Sequence, residues 1–292
     1  MSAPIAIVGQ ACVLPGALDV ATFADNVFAG RDLVTDAPEG RWGLPHADVM
    51  GEGRDRAWSS AGGYVTGFDR VWDPSGFKIP AAEFAGLDPL VHWLAHVGRG
   101  ALRDAGLDVS ADGGSGRAAL ARCGAVFGNL SFPSEGMARW GERVVLQANG
   151  RPAPAADPRD RFMSGLPADL LSRALGLGAP CFALDAACAS SLYAIRLACD
   201  ALTAGRADLM LAGAVQRADS LFLHIGFCAL GAMSHQGMSR PFHREADGLV
   251  PAEGAAFVVL KRLADAVRDG DRILGVVRGV GLSNDARARN LL

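Results

Sequence analysis

The chain has 292 residues and a formal net charge of −3, with 50% hydrophobic and 20% charged residues. That length fits one large domain or two small ones, and the composition can bury a sizeable core, which excludes a disordered chain. The charge balance offers no basic excess for nucleic acid and no acidic tail.

Residues 5–8 form an apolar run that ends at Gly9 and reads as a buried strand. Asp19 is placed to cap a helix through about residue 29, with Phe23, Val27 and Phe28 on its apolar side. Residues 31–80 show no clear period and are rich in Gly, Pro, Trp and Asp, as in an insertion or a functional surface. Leu90, Leu94, Val97 and Ala101 share one face of a helix that Gly106 stops. Residues 110–117 read as a loop and residues 123–128 as a second buried strand. Another loop covers 150–160, and a helix runs from about 161 or 167 to 175. Residues 181–185 form a third strand that leads at once into a long helix from about 188 to 204. Residues 208–215 open with Asp208 and are otherwise apolar, as in a strand covered on both faces. A fifth strand at 255–260, a short helix at 263–267 and a strand at 273–280 complete the pattern. Strands alternating with helices predict an α/β fold with helical layers around a central sheet. The chain stops soon after a strand with two leucines, Leu291 and Leu292, and is expected to be cut short.

Only Lys78 and Lys261 are lysines, and there is no Gly-Lys-Ser/Thr phosphate loop. Gly9 to Gly16 does not have dinucleotide-loop spacing. The six cysteines contain no CxxC pair, so a zinc ribbon or a thioredoxin-type motif is not expected. With no basic segment before the first apolar run and no stretch of about 20 apolar residues, neither a signal peptide nor a membrane span is expected. The expected location is cytoplasmic, with reduced thiols.

The most informative segment is Cys181-Phe-Ala-Leu-Asp-Ala-Ala-Cys-Ala-Ser-Ser-Leu-Tyr193. An apolar strand meets small residues, a cysteine and then a long helix, which is the layout of a nucleophile elbow. A thiol at that helix start would be favoured as thiolate, and the Cys188 N–H could meet a developing oxyanion. Pattern alone leaves two readings open for Cys188: nucleophile, or small buried hydrophobe. For Cys12, Cys123, Cys181, Cys199 and Cys228 the buried reading is preferred.

Asp185-Ala-Ala-Cys-Ala-Ser-Ser191 resembles the active-site signature of β-ketoacyl synthases, closest to those of type I polyketide synthases. Ile5-Ala-Ile-Val-Gly9, Leu14-Pro-Gly16, Phe77-Lys-Ile-Pro80, Leu87-Asp-Pro89 with Trp93, Ser239-Arg-Pro-Phe242, Ala246-Asp-Gly248 and Glu253-Gly254 resemble further segments of that family in the same order. Ala186 and Ala189 are small-for-small departures from the commoner form of the heptad. A cysteine at 188 argues against an inactive chain-length-factor relative. The resemblance implies a thiolase-like fold over residues 1–292, comprising the N-terminal half and the start of the second half. It implies acyl transfer from a carrier-protein thioester to Cys188, then condensation with a decarboxylated malonyl-type extender. It further implies Phe227 in the acyl pocket, phosphopantetheine belonging to the carrier with no cofactor or metal of the chain's own, and a homodimer paired through residues 181–185.

The family's two catalytic histidines lie in a His-Gly-Thr-Gly-Thr motif and an Asn-x-Gly-His motif, and neither occurs here; a Phe-Gly oxyanion loop is missing too. A catalytically incomplete fragment or a non-catalytic interaction module is therefore the alternative. Of the local histidines, His92 and His96 share a helix face and could at most pair on a metal. His224 reads as a core residue and His243 as a solvated one; His46 and His235 complete the supply. Asp247 and Glu253 read as acceptors for loop N–H groups rather than as an acid/base pair.

Overall fold

The computed structural model describes residues 3–107, 109, 116–130, 134–218 and 220–283. In chain order, β1 (Ile5–Val13), α1 (Val20–Phe28), α2 (His46–Val49), α3 (Pro89–Asp104) and α4 (Arg117–Leu120) come first. Then follow β2 (Cys123–Asn129), α5 (Glu135–Ala148), α6 (Leu166–Leu175), β3 (Cys181–Leu184), α7 (Ser190–Thr203) and β4 (Leu209–Gln216). The last elements are α8 (Ser220–Ala229), β5 (Gly254–Arg262), α9 (Leu263–Asp269) and β6 (Gly275–Val277).

The strands form one mixed sheet in the order β3-β2-β4-β5-β1-β6. β2 runs parallel to both β3 and β4, while β5 is antiparallel to β4 and β1. Side chains alternate across the sheet. Ala125, Phe127, Leu209 and Leu211 join the core beneath α3 and α6. Val126, Met210 and Ala212 join the core on the other face, with Ala194, Ala198 and Leu202 of α7. The apolar run after Asp208 is thereby explained: β4 is covered on both faces.

α3 starts on Asp88, whose carboxylate accepts from the Leu90 N–H at 2.8 Å, with Pro89 in the first turn. It buries Leu90, Leu94, Val97 and Ala101, as their spacing predicts. A third, smaller cluster links the 37–64 region to α8 through Trp42, Tyr64, Cys228 and Met233.

Four sequence expectations are corrected. β1 does not end at Gly9 but runs on to Val13, with a bulge between Ile7 and Gly9. A Cβ at Gly9 would lie 2.5 Å from the Ala101 carbonyl oxygen, so this glycine marks the close approach of α3. The long helix begins at Ser190, after a 3-10 turn at Ala187–Ala189, so Cys188 lies in the turn. The last strand is confined to Gly275–Val277. Four helices, α2, α4, α5 and α8, occupy segments with no predicted element. The predicted loop at 110–117 lies mostly outside the described residues.

Candidate active site

β2, β3 and β4 are parallel, and their carboxyl ends form one edge of the sheet, where α/β folds commonly place their sites. From the end of β3 the chain turns sharply into α7. Asp185 Oδ1 accepts from the Ala187 N–H at 2.9 Å. The Ser190 hydroxyl accepts from the Ala186 N–H at 2.9 Å and donates to the Ala187 carbonyl at 2.7 Å. Gly128 of β2 makes room for this turn: a Cβ there would sit 2.5 Å from Ser190 Cβ. Ala187 has φ 50°, a left-handed conformation that costs a non-glycine residue about 1–2 kcal/mol. Strain of this kind, fixed by Asp185 and Ser190, holds the next residue out of the packed layer.

That residue is Cys188. Its thiol is exposed, and it makes no hydrogen bond among the described residues. α7 begins without a side-chain cap and with no acidic residue in its first turn, and the Asp185 carboxylate just before it is bonded to the Ala187 N–H. The other thiols differ. Burial pushes Cys123 and Cys181 up to about 12 and Cys12 up to about 11. It also raises Cys199 and Cys228. Only one of the six cysteines thus combines exposure with the elbow position.

Phe227 is half-buried on α8 and packs against the cluster of Trp42, Tyr64 and Met233. The histidines are engaged elsewhere. His224 is buried, with Nδ1 2.6 Å from the Ser220 carbonyl oxygen and Nε2 3.2 Å from the Tyr64 hydroxyl; burial holds its pKa down. His92 stacks on Trp72 with centroids 4.9 Å apart, and its Nε2 lies 2.9 Å from the Phe84 carbonyl oxygen. His96 packs edge-on against Phe68. Burial lowers the pKa of both. His46 packs on Trp42, His235 stacks on Trp58, and His243 Nδ1 accepts from the Glu245 N–H. Among the described residues no group of three His, Cys, Asp or Glu side chains could hold a metal ion.

The carboxylates at 247 and 253 are loop acceptors, as their surroundings predict. Asp247 accepts from the Ser234 hydroxyl at 2.7 Å and from the His235 and Gln236 N–H groups. Glu253 accepts from the Val65 N–H at 2.8 Å and pairs with Arg41.

A second helix start lies at the same sheet edge and was not foreseen. Ser134 caps α5 by accepting from the Met137 N–H, and buried Asp88 accepts from the Gly136 N–H at 2.6 Å. Asp160 accepts from the Asp88 N–H at 3.3 Å, and Glu135 pairs with Arg217 at the end of β4. The available signals were the Asp88-Pro89 pair and the Ser134-Glu135 pair, both helix-start patterns.

The model of the N-terminal domain of β-ketoacyl synthases matches residues 2–266. The chain belongs to the β-ketoacyl synthase family. It is 34% identical to a mycocerosic acid synthase-like polyketide synthase of Mycolicibacterium smegmatis, over 99% of this chain and 13% of that protein. The solved PfaC ketosynthase–chain-length factor matches with a TM-score of 0.85 and 35% identity, covering 95% of this chain and 31% of that one. The ketosynthase from module 6 of the bacillaene synthase of Bacillus subtilis 168 matches with a TM-score of 0.76 and 28% identity, covering 98% of this chain and 45% of that one. The chain therefore spans less than half the length of each of these relatives. Its mixed sheet and helical layers have the thiolase-like ketosynthase architecture.

Proposed function

We propose that Cys188 accepts an acyl group from a carrier-protein thioester, as one step of a ketosynthase in polyketide or fatty-acid-like synthesis. The observation that carries this reading is an exposed thiol held by a strained turn at the uncapped start of α7. The Cys188 thiol gives up its proton to solvent, the thiolate attacks the thioester carbonyl, and the tetrahedral oxyanion collapses with loss of the carrier's pantetheine thiolate, which takes a proton from solvent. The partial positive charge at the start of α7 favours the developing oxyanion. In the complete synthase the acyl-enzyme is then condensed with a decarboxylated malonyl-type unit. Phe227, a half-buried aromatic on α8, is proposed to line the acyl path. Among the described residues β3 lies at the sheet edge, bonded only to β2, with Phe182 exposed, which supports a dimer paired along that edge. Among the described residues no helix is long and apolar enough to cross a membrane. A reducing, cytoplasmic setting suits a free-thiol nucleophile.

The test is intact-mass analysis after incubation with an acyl-pantetheine thioester. One acyl group per chain is expected, and none on Cys188→Ala. Equal acylation of the Cys188→Ala chain would overturn the reading. A second arm adds a malonyl thioester. Among the described residues no histidine makes a hydrogen bond or ring contact with Cys188, which favours acyl acceptance without condensation by this chain alone. A β-ketoacyl product from the purified chain would contradict that.

A further inference from the structure

α8 buries the reverse of what its composition suggests. Its sequence, Ser220-Leu-Phe-Leu-His-Ile-Gly-Phe-Cys-Ala229, is apolar except for Ser220 and His224. Yet the residues it buries are His224 and Cys228, while Phe222 is 48% exposed and Leu221, Leu223, Ile225 and Phe227 are only partly covered. Burying a polar ring in preference to leucines costs free energy unless the ring is hydrogen-bonded.

His224 is bonded on both nitrogens, and to two segments of the chain. Nδ1 lies 2.6 Å from the Ser220 carbonyl oxygen, which can only accept, so Nδ1 carries the proton. Nε2 lies 3.2 Å from the Tyr64 hydroxyl and 3.1 Å from the Ala61 carbonyl oxygen, both in the segment that packs on α8. Burial lowers the pKa of the ring, so it is neutral at pH 7 and Nε2 accepts from the Tyr64 hydroxyl, whose proton the Ser60 carbonyl shares at 3.0 Å. The Trp42 ring closes the contact, with centroids 5.2 Å apart.

This clamp decides how α8 is turned. A helix that is apolar nearly all round has no preferred face, and a turn by one residue, about 100°, exchanges one apolar side chain for another. A buried polar ring removes that freedom, because a single rotation brings it to its partners. Phe227 is set by the same rotation. It follows His224 by three residues, hence on a neighbouring part of the same face, and it packs against the cluster of Trp42, Tyr64 and Met233.

We propose that His224 is a positioning residue: it locks the rotation of α8 against residues 60–64 and so places Phe227, which sets the length of the straight-chain acyl group that Cys188 accepts. The proposal rests on the acyl-acceptor reading of Cys188 and on Phe227 lining the acyl path, and adds what holds that residue in place.

The test uses the whole chain and a series of straight-chain acyl-N-acetylcysteamine thioesters from acetyl to dodecanoyl, with acylation of Cys188 followed by intact mass. The readout is the ratio of the long-chain rate to the acetyl rate. In H224L the acetyl rate is expected to hold within about twofold while the ratio shifts about tenfold. H224Q, whose terminal amide can meet both Tyr64 and Ala61, is expected to keep the ratio within about threefold. C228A removes the other buried side chain of α8 and no bond of the clamp; it is expected to lower the urea midpoint and leave the ratio unchanged. F227A is expected to shift the ratio as H224L does, and F227A/H224L no further than F227A, because the two residues act in series. An unchanged ratio in H224L would overturn the proposal, as would an acetyl rate that falls along with the rest, or shifts that add in the double variant. If H224L does not fold, Y64F carries the test: a shift of about threefold is expected, and none would overturn the proposal. If F227A leaves the ratio unchanged, His224 does not act through Phe227 and the proposal falls, while acylation of Cys188 stands. If no thioester acylates Cys188, the acyl-acceptor reading falls, and amide hydrogen exchange over residues 220–229 decides the clamp. Faster exchange in H224L but not in H224Q supports it, and equal exchange overturns it.

Discussion

Two helices begin at the carboxyl edge of the parallel strands, and they begin in opposite ways. α5 starts filled: Ser134 caps it, Asp88 takes the Gly136 N–H, and Asp160 lies against the same glycine. α7 starts without a side-chain cap: small residues precede it, and the Ser190 hydroxyl is spent on Ala186 and Ala187. A helix start can serve structure or chemistry, because the same N–H groups and partial charge cannot be given both to resident carboxylates and to a reacting anion. In this molecule carboxylates fill the first turn of α5, whereas at α7 the Asp185 carboxylate is bonded in the turn before the helix and the exposed thiol stands beside its first residue.

The contrast is broken most strongly by moving an acid to the open start. Ala189→Asp would place a carboxylate at the start of α7, as Asp88 does at the start of α5. The acylation rate of Cys188 is expected to fall about 100-fold, since a fixed negative charge replaces favourable electrostatics at the oxyanion. Single-turnover acylation with a small thioester reads this. An unchanged rate would show that the helix start takes no part.

The converse change disturbs the filled start. In Gly136→Ala the new Cβ would lie 2.5 Å from Asp160 Oδ2 and 3.0 Å from Asp88 Oδ2. Buried carboxylates cannot yield that space, and a loss of about 1–3 kcal/mol is expected in urea unfolding.

A smaller effect comes from pH. Burial pushes Asp160 up from 3.8 to about 6; the Asp88 N–H it accepts opposes this, and the Asp88 charge adds to it. A carboxyl whose folded pKa exceeds its unfolded pKa binds more protons when folded. Its stabilising contribution is full below about pH 4, declines as pH rises to about 6, and is gone above that. Melting temperatures measured from pH 4 to pH 7 should show this decline, and Asp160→Asn should flatten it.

The elbow was readable from the sequence because everything it needs lies within ten residues: an apolar strand, small residues, a cysteine and a helical period. The strained residue itself was not readable, because Ala187 is held at positive φ by hydrogen bonds with Asp185 and Ser190 that only the fold assembles. α5 escaped notice because it buries almost nothing, so Trp140, Val144 and Val145 follow no core-facing period. α8 escaped for the opposite reason. Its run of Leu, Phe and Ile has no polar face, and periodicity cannot separate such a run from a strand. Gly9 looked like the end of a strand and is instead a contact with α3, which no local pattern reveals. The role proposed for Phe227 comes from the family resemblance alone; its packing on α8 does not give it.

The central claim is that one thiol of six is built to react. Native labelling with limiting iodoacetamide, followed by peptide mass mapping, tests it most directly. Cys188 should label first, because it is exposed at an open helix start, and Cys123 and Cys181 last, because burial holds both near 12. If Cys188 labels no faster than Cys12 or Cys123 in a chain whose circular dichroism shows it folded, the account of the elbow is wrong.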